Sequence, residues 1–313
     1  MTTREWQVEA AEAGVRLDKF LAAPERMGSR AGATSVIERG KVFVNDREAA
    51  LSDAATPVAE GDRVRVWLDR PGSAKARPRP TRVGRLEILF EDDALVVVNK
   101  PPGLLSVPLE RKSAAESVYS MIEDHFRPRG KRRPFVVHRI DRDTSGLVLF
   151  AKDARAQAQL KEQFKRREPE RVYWAVVYGR PVPPQGTWRD HLVWDEKALI
   201  QKETHPRDPR AHEAVSEYRT LETFTDAALV EVRLQTGRRN QIRLQARLRG
   251  HTLIGERRYV YGPETMRTIQ FERQALHAYR LAFRHPADGR ALAFEAPLPA
   301  DFQALLARLR RGV

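Results

Sequence analysis

Asp141 and Asp143 stand two residues apart in the run His138-Arg139-Ile140-Asp141-Arg142-Asp143-Thr144-Ser145-Gly146, among basic neighbours. A carboxylate beside arginines stays ionised, and an ionised carboxylate can act as a nucleophile or a general base. The run lies between two apolar stretches, Phe135-Val136-Val137 and Leu147-Val148-Leu149-Phe150. It therefore reads as a polar loop held between strands, a usual place for a site. Asp143, Thr144 and Ser145 also read as plain turn and cap residues. His125, His191 and His205 lack metal-ligand spacing and read as surface or structural residues.

Such a loop needs a scaffold. The 313 residues are 41% hydrophobic and 31% charged, which suits a medium domain plus a small accessory module. The formal net charge of +14 points to a polyanionic partner, because Lys and Arg that neutralise phosphates release condensed counterions. No cysteine is present, which excludes disulfides, thiolate chemistry and cysteine-ligated zinc. Residues 1–10 carry charges and no apolar run, so no signal peptide is expected. No stretch approaches the roughly 20 apolar residues of a membrane span. The expected location is the cytoplasm, with no membrane partner.

Three regions separate. Residues 1–69 predict helices over 16–21 and 29–39, the second capped by Ser29 and stopped by Gly40. A strand over 41–44, an Asn45-Asp46 turn and a second strand opened by Gly61-Asp62 follow. In that second strand Val64, Val66 and Leu68 face away from Arg63, Arg65 and Trp67. Residues 70–85 hold three prolines, two glycines, five arginines and one lysine, and read as an exposed basic linker. Residues 86–313 carry strand signals at 95–98, 135–137, 147–150, 172–178, 230–234 and 280–283. Helical patterns fall at 154–164, 239–248 and 302–309. Strands and helices do not strictly alternate, which predicts an α+β fold.

The run 138–146 resembles the central motif of the RluA-like family of RNA pseudouridine synthases: His-Arg-Leu-Asp, two variable residues, then Thr-Ser-Gly. Ile140 replaces the Leu. Further segments are similar to the family's in the same order: Asn99-Lys100-Pro101-Pro102-Gly103-Leu104, Arg171-Val172-Tyr173-Trp174-Ala175-Val176-Val177-Tyr178-Gly179, Thr236-Gly237-Arg238-Arg239-Asn240-Gln241-Ile242-Arg243, residues 251–259 and Leu276-His277-Ala278. The resemblance implies a pseudouridine synthase fold with a mixed, largely antiparallel central sheet. It implies that uridine is isomerised in RNA with Asp141 as the attacking carboxylate, without a cofactor or metal. Tyr173 matches the ring that packs on the extruded base, and Arg243 the basic residue that pairs with the catalytic Asp. Arg139 matches the arginine that fills the gap left by a flipped base, with a phosphate contact as the plainer alternative. Lys100 is expected to serve structure or the RNA backbone rather than chemistry. On a helix over 239–248, Arg239, Arg243 and Arg247 would share a face. The chain departs from the family at Arg239-Asn240, often Thr-His, and at Gln245, often His; those roles stay open.

The N-terminal region resembles the small αL RNA-binding domain of a primary-binding ribosomal protein, an α/β module, in which Arg30, Arg39 and Lys41 would meet RNA phosphates. The expected partner is structured RNA, above all large-subunit (23S) ribosomal RNA, bound by a monomer. Two alternatives stay open: a non-catalytic RNA-binding or ribosome-assembly factor on the same fold, and a synthase acting on transfer RNA. His-Arg-x-Asp also resembles a protein-kinase catalytic loop. The sequence holds no Asp-Phe-Gly and no matching glycine-rich loop, so that reading fails.

Overall fold

Val64 and Val66 alternate with charged neighbours, and the strand they form, β4 (Arg63–Trp67), buries both of them completely. Around it the computed structural model arranges β1 (Thr3–Gln7), α1 (Leu17–Leu21), α2 (Arg30–Glu38), β2 (Val42–Val44) and β3 (Arg47–Glu48). The described residues are 3–68, 81–108, 116–127, 133–260 and 269–312. The small sheet runs β1-β4-β2-β3 and is antiparallel throughout. Ser29 caps α2 by accepting from the Gly32 amide at 3.0 Å, and Gly40 ends it at φ 63°. Asn45 and Asp46, at φ 49° and 63°, turn β2 into β3. Leu17, Phe20, Leu21, Ile37, Val42, Val64 and Val66 form a core of their own.

A second, twelve-stranded sheet contains β5 (Thr81–Val83), β6 (Leu86–Glu91), β7 (Leu95–Lys100), β8 (Phe135–Val136), β9 (Ser145–Ala151) and β10 (Glu170–Tyr178). It continues with β11 (Gln185–Asp195), β12 (Ile200–Glu203), β13 (His212–Thr223), β14 (Ala227–Leu234), β15 (Leu276–Arg284) and β16 (Ala291–Glu295). The order is β12-β11-β13-β14-β10-β15-β9-β7-β6-β5, with β16 on β15 and β8 on β9. All pairs are antiparallel except β15 with β9. The expected mixed, largely antiparallel α+β sheet is what forms.

Helices cover both faces of this sheet. On one face α3 (Val118–Phe126) and α5 (Gln241–Leu248) pack against Val96, Val98, Val148, Ala175, Val230 and Val232. On the other, α4 (Ala154–Lys165) meets Leu95, Val97, Leu147 and Leu149, and α6 (Ala300–Arg310) meets Val176, Ala227 and Leu229. Central strands buried on both faces explain the unbroken apolar runs. Among the described residues no helix is long and apolar enough to cross a membrane.

The structure differs from expectation at two boundaries. The stretch read as a linker to residue 85 ends earlier, because Thr81–Val83 pairs with Leu86–Ile88 of β6; residues 70–80 of the expected linker lie outside the described residues. The helix expected over 239–248 begins at Gln241, because Asn240 is left-handed at φ 53°. Asn tolerates that conformation, and Arg239 is thereby excluded from the face it was expected to share with Arg243.

Candidate active site

Residues 137–144 join β8 to β9, in the middle of the large sheet. Side chains from elsewhere in the chain hold the backbone of this loop at Ile140, Arg142 and Asp143. His138 Nε2 accepts from the Leu149 amide at 3.1 Å and its ring stacks on Phe164. Burial pushes its pKa down to about 3, so the ring is a neutral acceptor. Ser106 Oγ donates to the Ile140 carbonyl at 2.8 Å and accepts from the Ile140 amide at 3.2 Å. Lys100 Nζ donates to the carbonyls of Arg142 (2.7 Å), Leu104 (2.8 Å) and Pro101 (2.9 Å). Arg273 Nη1 donates to the Asp143 carbonyl at 2.9 Å, while its other edge pairs with Asp301 at the start of α6.

Gly146 closes the loop. Its φ is 109°, and a Cβ there would lie 2.2 Å from the Ala278 carbonyl oxygen. Only glycine permits the approach of β9 to β15. Gly146 pairs with Ala278, Ala278 with Tyr173 and Tyr173 with Val232, so one row across four strands sets the Tyr173 ring relative to the loop.

Asp141 stands at the turn of this loop, its side chain 30% exposed. Its Oδ2 accepts from Asn240 Nδ2 at 2.6 Å and from Arg243 Nη1 at 3.0 Å. Arg243 is buried and holds a second carboxylate: its Nε and Nη2 each meet Glu256 at 2.6 Å. Burial works against both charges, but their mutual bonds outweigh it, and the Arg243 pKa is raised while that of Glu256 is lowered. Glu256 is fixed in turn by the amides of Arg258 (2.7 Å) and Arg257 (3.0 Å). Tyr259 donates from its hydroxyl to Asn240 Oδ1 at 3.3 Å and orients that amide.

Asp141, Tyr173, Arg243 and Arg139 line one cavity of about 600 Å³. Tyr173 is 8% exposed, and burial raises its pKa, so it presents a neutral ring. Arg139 is exposed at the mouth. Such a chamber can hold a planar base against an aromatic ring beside an oriented carboxylate. Among the described residues no group of three or more His, Cys, Asp or Glu side chains gathers as a metal site.

The other expected site residues fall elsewhere. Lys100 is fully buried on three carbonyls of its own chain, so it cannot reach an RNA backbone; its role is structural. Lys41 is also buried, donating to the Leu68 carbonyl and to Asp93 at 2.8 Å each, and is not free for a phosphate. Arg30 and Arg39 are exposed, with side-chain accessibilities of 59% and 60%. Of the two departures from the family pattern, Asn240 touches Asp141 directly. Gln245 is fully buried away from it, accepting from Ser216 Oγ and donating to Asp190 and the Ala214 carbonyl. Sequence reasoning missed Glu256 and Arg273. The one available signal was a lone acid, Glu256, beside Arg257 and Arg258 in a segment already similar to the family.

Comparison with known proteins agrees with this architecture. The family model described as RNA pseudouridylate synthase matches residues 94–248. The chain is 37% identical over 300 residues to an uncharacterized RNA pseudouridine synthase, YlyB, of Bacillus subtilis, covering 95% of both chains. It is 36% identical over 307 residues to a ribosomal large subunit pseudouridine synthase D of Zymomonas mobilis, covering 95% of this chain and 94% of that one. Among solved structures, the protein human RNA pseudouridylate synthase domain containing 4 shares the fold, with a TM-score of 0.59 at 24% identity over 71% of this chain and 92% of its own. The chain belongs to the RNA pseudouridine synthase family and is an isomerase of uridine in RNA.

Proposed function

We propose that Asp141 is the nucleophile of this isomerisation, that the target uridine is flipped into the cavity beside it, and that the substrate is large-subunit ribosomal RNA. The observation that carries the reading is the Asp141 carboxylate, held by Arg243 and Asn240 and open to a chamber walled by Tyr173. In the reaction the C1′–N1 bond breaks and a C1′–C5 bond forms. C5 loses its proton and N1 gains one, so the atoms balance without a co-reactant. A uridine stacked in a helix cannot reach a carboxylate inside a chamber, and extrusion costs a few kcal/mol. Arg139, exposed at the mouth, is suited to occupy the vacated stack. The name of the Zymomonas mobilis relative supports the ribosomal target, and the exposed Arg30 and Arg39 offer the N-terminal unit phosphate contacts.

The test is to incubate purified protein with unmodified 23S ribosomal RNA and, separately, with unmodified transfer RNA, and to map pseudouridine at nucleotide resolution. Discrete sites in the ribosomal RNA are expected. Sites confined to transfer RNA would overturn the substrate assignment.

A further inference from the structure

Arg171 lies on β10, two residues before Tyr173, and lines the same cavity. Its Nη2 donates to the carbonyls of Leu234 (3.2 Å) and Gln235 (3.3 Å), and its guanidinium lies 5.5 Å from the centre of the Phe164 ring. Its Nε is buried without a hydrogen-bond partner among the described residues. No carboxylate of the described residues pairs with it, in contrast to Arg243, which holds two. Burial lowers its pKa for that reason.

Arg171 is partly buried, and a guanidinium withdrawn from water without a counter-ion costs stability unless something supplies the opposite charge. The surroundings do not. Lys165 and Arg167, exposed at the end of α4, and Arg238 line the same wall. Glu213 is shared with Arg189 and is 3.7 Å from Arg167, and Asp141, on the same cavity, is held by Arg243 and Asn240. The Thr236-Gly237-Arg238 turn is built around Arg171: a Cβ on Gly237 would lie 2.5 Å from its Nη1. The glycine of that motif thus makes room for the guanidinium.

We propose that Arg171, with Lys165 and Arg167 at the rim, forms the seat for one phosphodiester flanking the target uridine, so that the missing counter-ion arrives with the substrate. The proposal rests on Asp141 and Tyr173 receiving the target uridine in this cavity. A phosphate gripped beside the chamber fixes the flipped nucleotide by its backbone, which sequence-independent contacts do well. Arginine suits the task because its planar fork matches phosphate oxygens.

The experiment uses full-length protein and a short stem-loop RNA containing the target uridine. Single methylphosphonate linkages, which are neutral, replace each phosphate within two nucleotides of that uridine. At one linkage the wild-type protein should bind about tenfold more weakly, one salt-sensitive contact having been lost. Arg171→Met should lose about tenfold on the unmodified RNA, shallow its salt slope by about one, and lose nothing further on that modified RNA. Lys165→Gln/Arg167→Gln, two exposed changes, should show the same non-additivity, and they serve if Arg171→Met does not fold. Additive losses at every linkage, or no sensitive linkage, would overturn the phosphate seat. Pseudouridine formed by wild type on the unmodified stem-loop reports separately on the parent reading. Product with additive losses condemns the seat alone, whereas absence of product condemns the site assignment.

Discussion

Arg243 serves two carboxylates at once, and that shared duty explains why an arginine stands there. Its Nε and Nη2 hold Glu256 while Nη1 reaches Asp141. An ammonium is a single point charge and cannot present this fork. Arg243→Lys should therefore lower the single-turnover rate by at least about a hundredfold, roughly 2.7 kcal/mol in the barrier, with little change in RNA affinity. A near-parental rate would show that charge alone suffices. Arg243→Met should also lower stability to urea by about 3–5 kcal/mol, because it leaves Glu256 buried and unpaired. The resemblance of the sequence motifs to those of the family pointed to Asp141, Tyr173 and Arg243. It could not show that Asn240 bonds Asp141 or that Glu256 backs Arg243, because those pairs form only when the chain brings distant residues together.

The loop that carries Asp141 is set by its neighbours. Lys100, at the end of β7, Ser106, in the turn after it, and Arg273, before β15, grip its backbone at Arg142, Ile140 and Asp143. Gly146→Ala would drive a methyl into the Ala278 carbonyl in a conformation that disfavours side chains. It should cost more than about 2 kcal/mol in urea unfolding. His277 adds a pH dependence. It is fully buried, with Nδ1 on Ser145 Oγ and Nε2 on the Ala296 carbonyl, and burial holds its pKa at about 4. The unfolded chain protonates this histidine below pH about 6.5, the folded chain only near 4. Between those values the unfolded state binds more protons, so stability falls on acidification from about pH 6.5 toward 4. The stability difference between wild type and His277→Gln should shrink by roughly 2–3 kcal/mol from pH 7 to pH 4.5. An unchanged difference would mean that His277 does not titrate on unfolding. At this scale the two-faced strands β7, β9 and β10 were legible from their apolar runs. β13 was missed because its buried residues are few and its second half alternates between partly buried and exposed residues without an apolar pattern. β1 was missed because it is an exposed edge with a polar sequence.

The molecule as a whole joins two sheets with separate cores, and an ion pair between the buried Lys41 and the exposed Asp93 ties the smaller unit to the larger. The basic composition was legible as a polyanion partner, and the lysine expected to meet it instead spends its charge inside the protein. Since the two cores are separate, a protein beginning at Thr81, which keeps β5 on β6, should fold and form pseudouridine at saturating RNA. It should bind structured RNA more weakly and with a shallower salt dependence, because a second tethered contact and its phosphate neutralisation are gone. Equal affinities and slopes for the two lengths would reassign the N-terminal unit to a protein partner.

The role of Asp141 is tested most directly by single-turnover pseudouridine formation with Asp141→Asn, measured beside RNA affinity. The substitution keeps size and removes the charge that Arg243 and Asn240 orient. The rate should fall by at least about a thousandfold, roughly 4 kcal/mol in the barrier, while the affinity stays within a few-fold. Asp143→Asn, whose carboxylate meets only Arg142 among the described residues, should be much milder. Turnover by Asp141→Asn near the parental rate would contradict the assignment of Asp141 as the nucleophile.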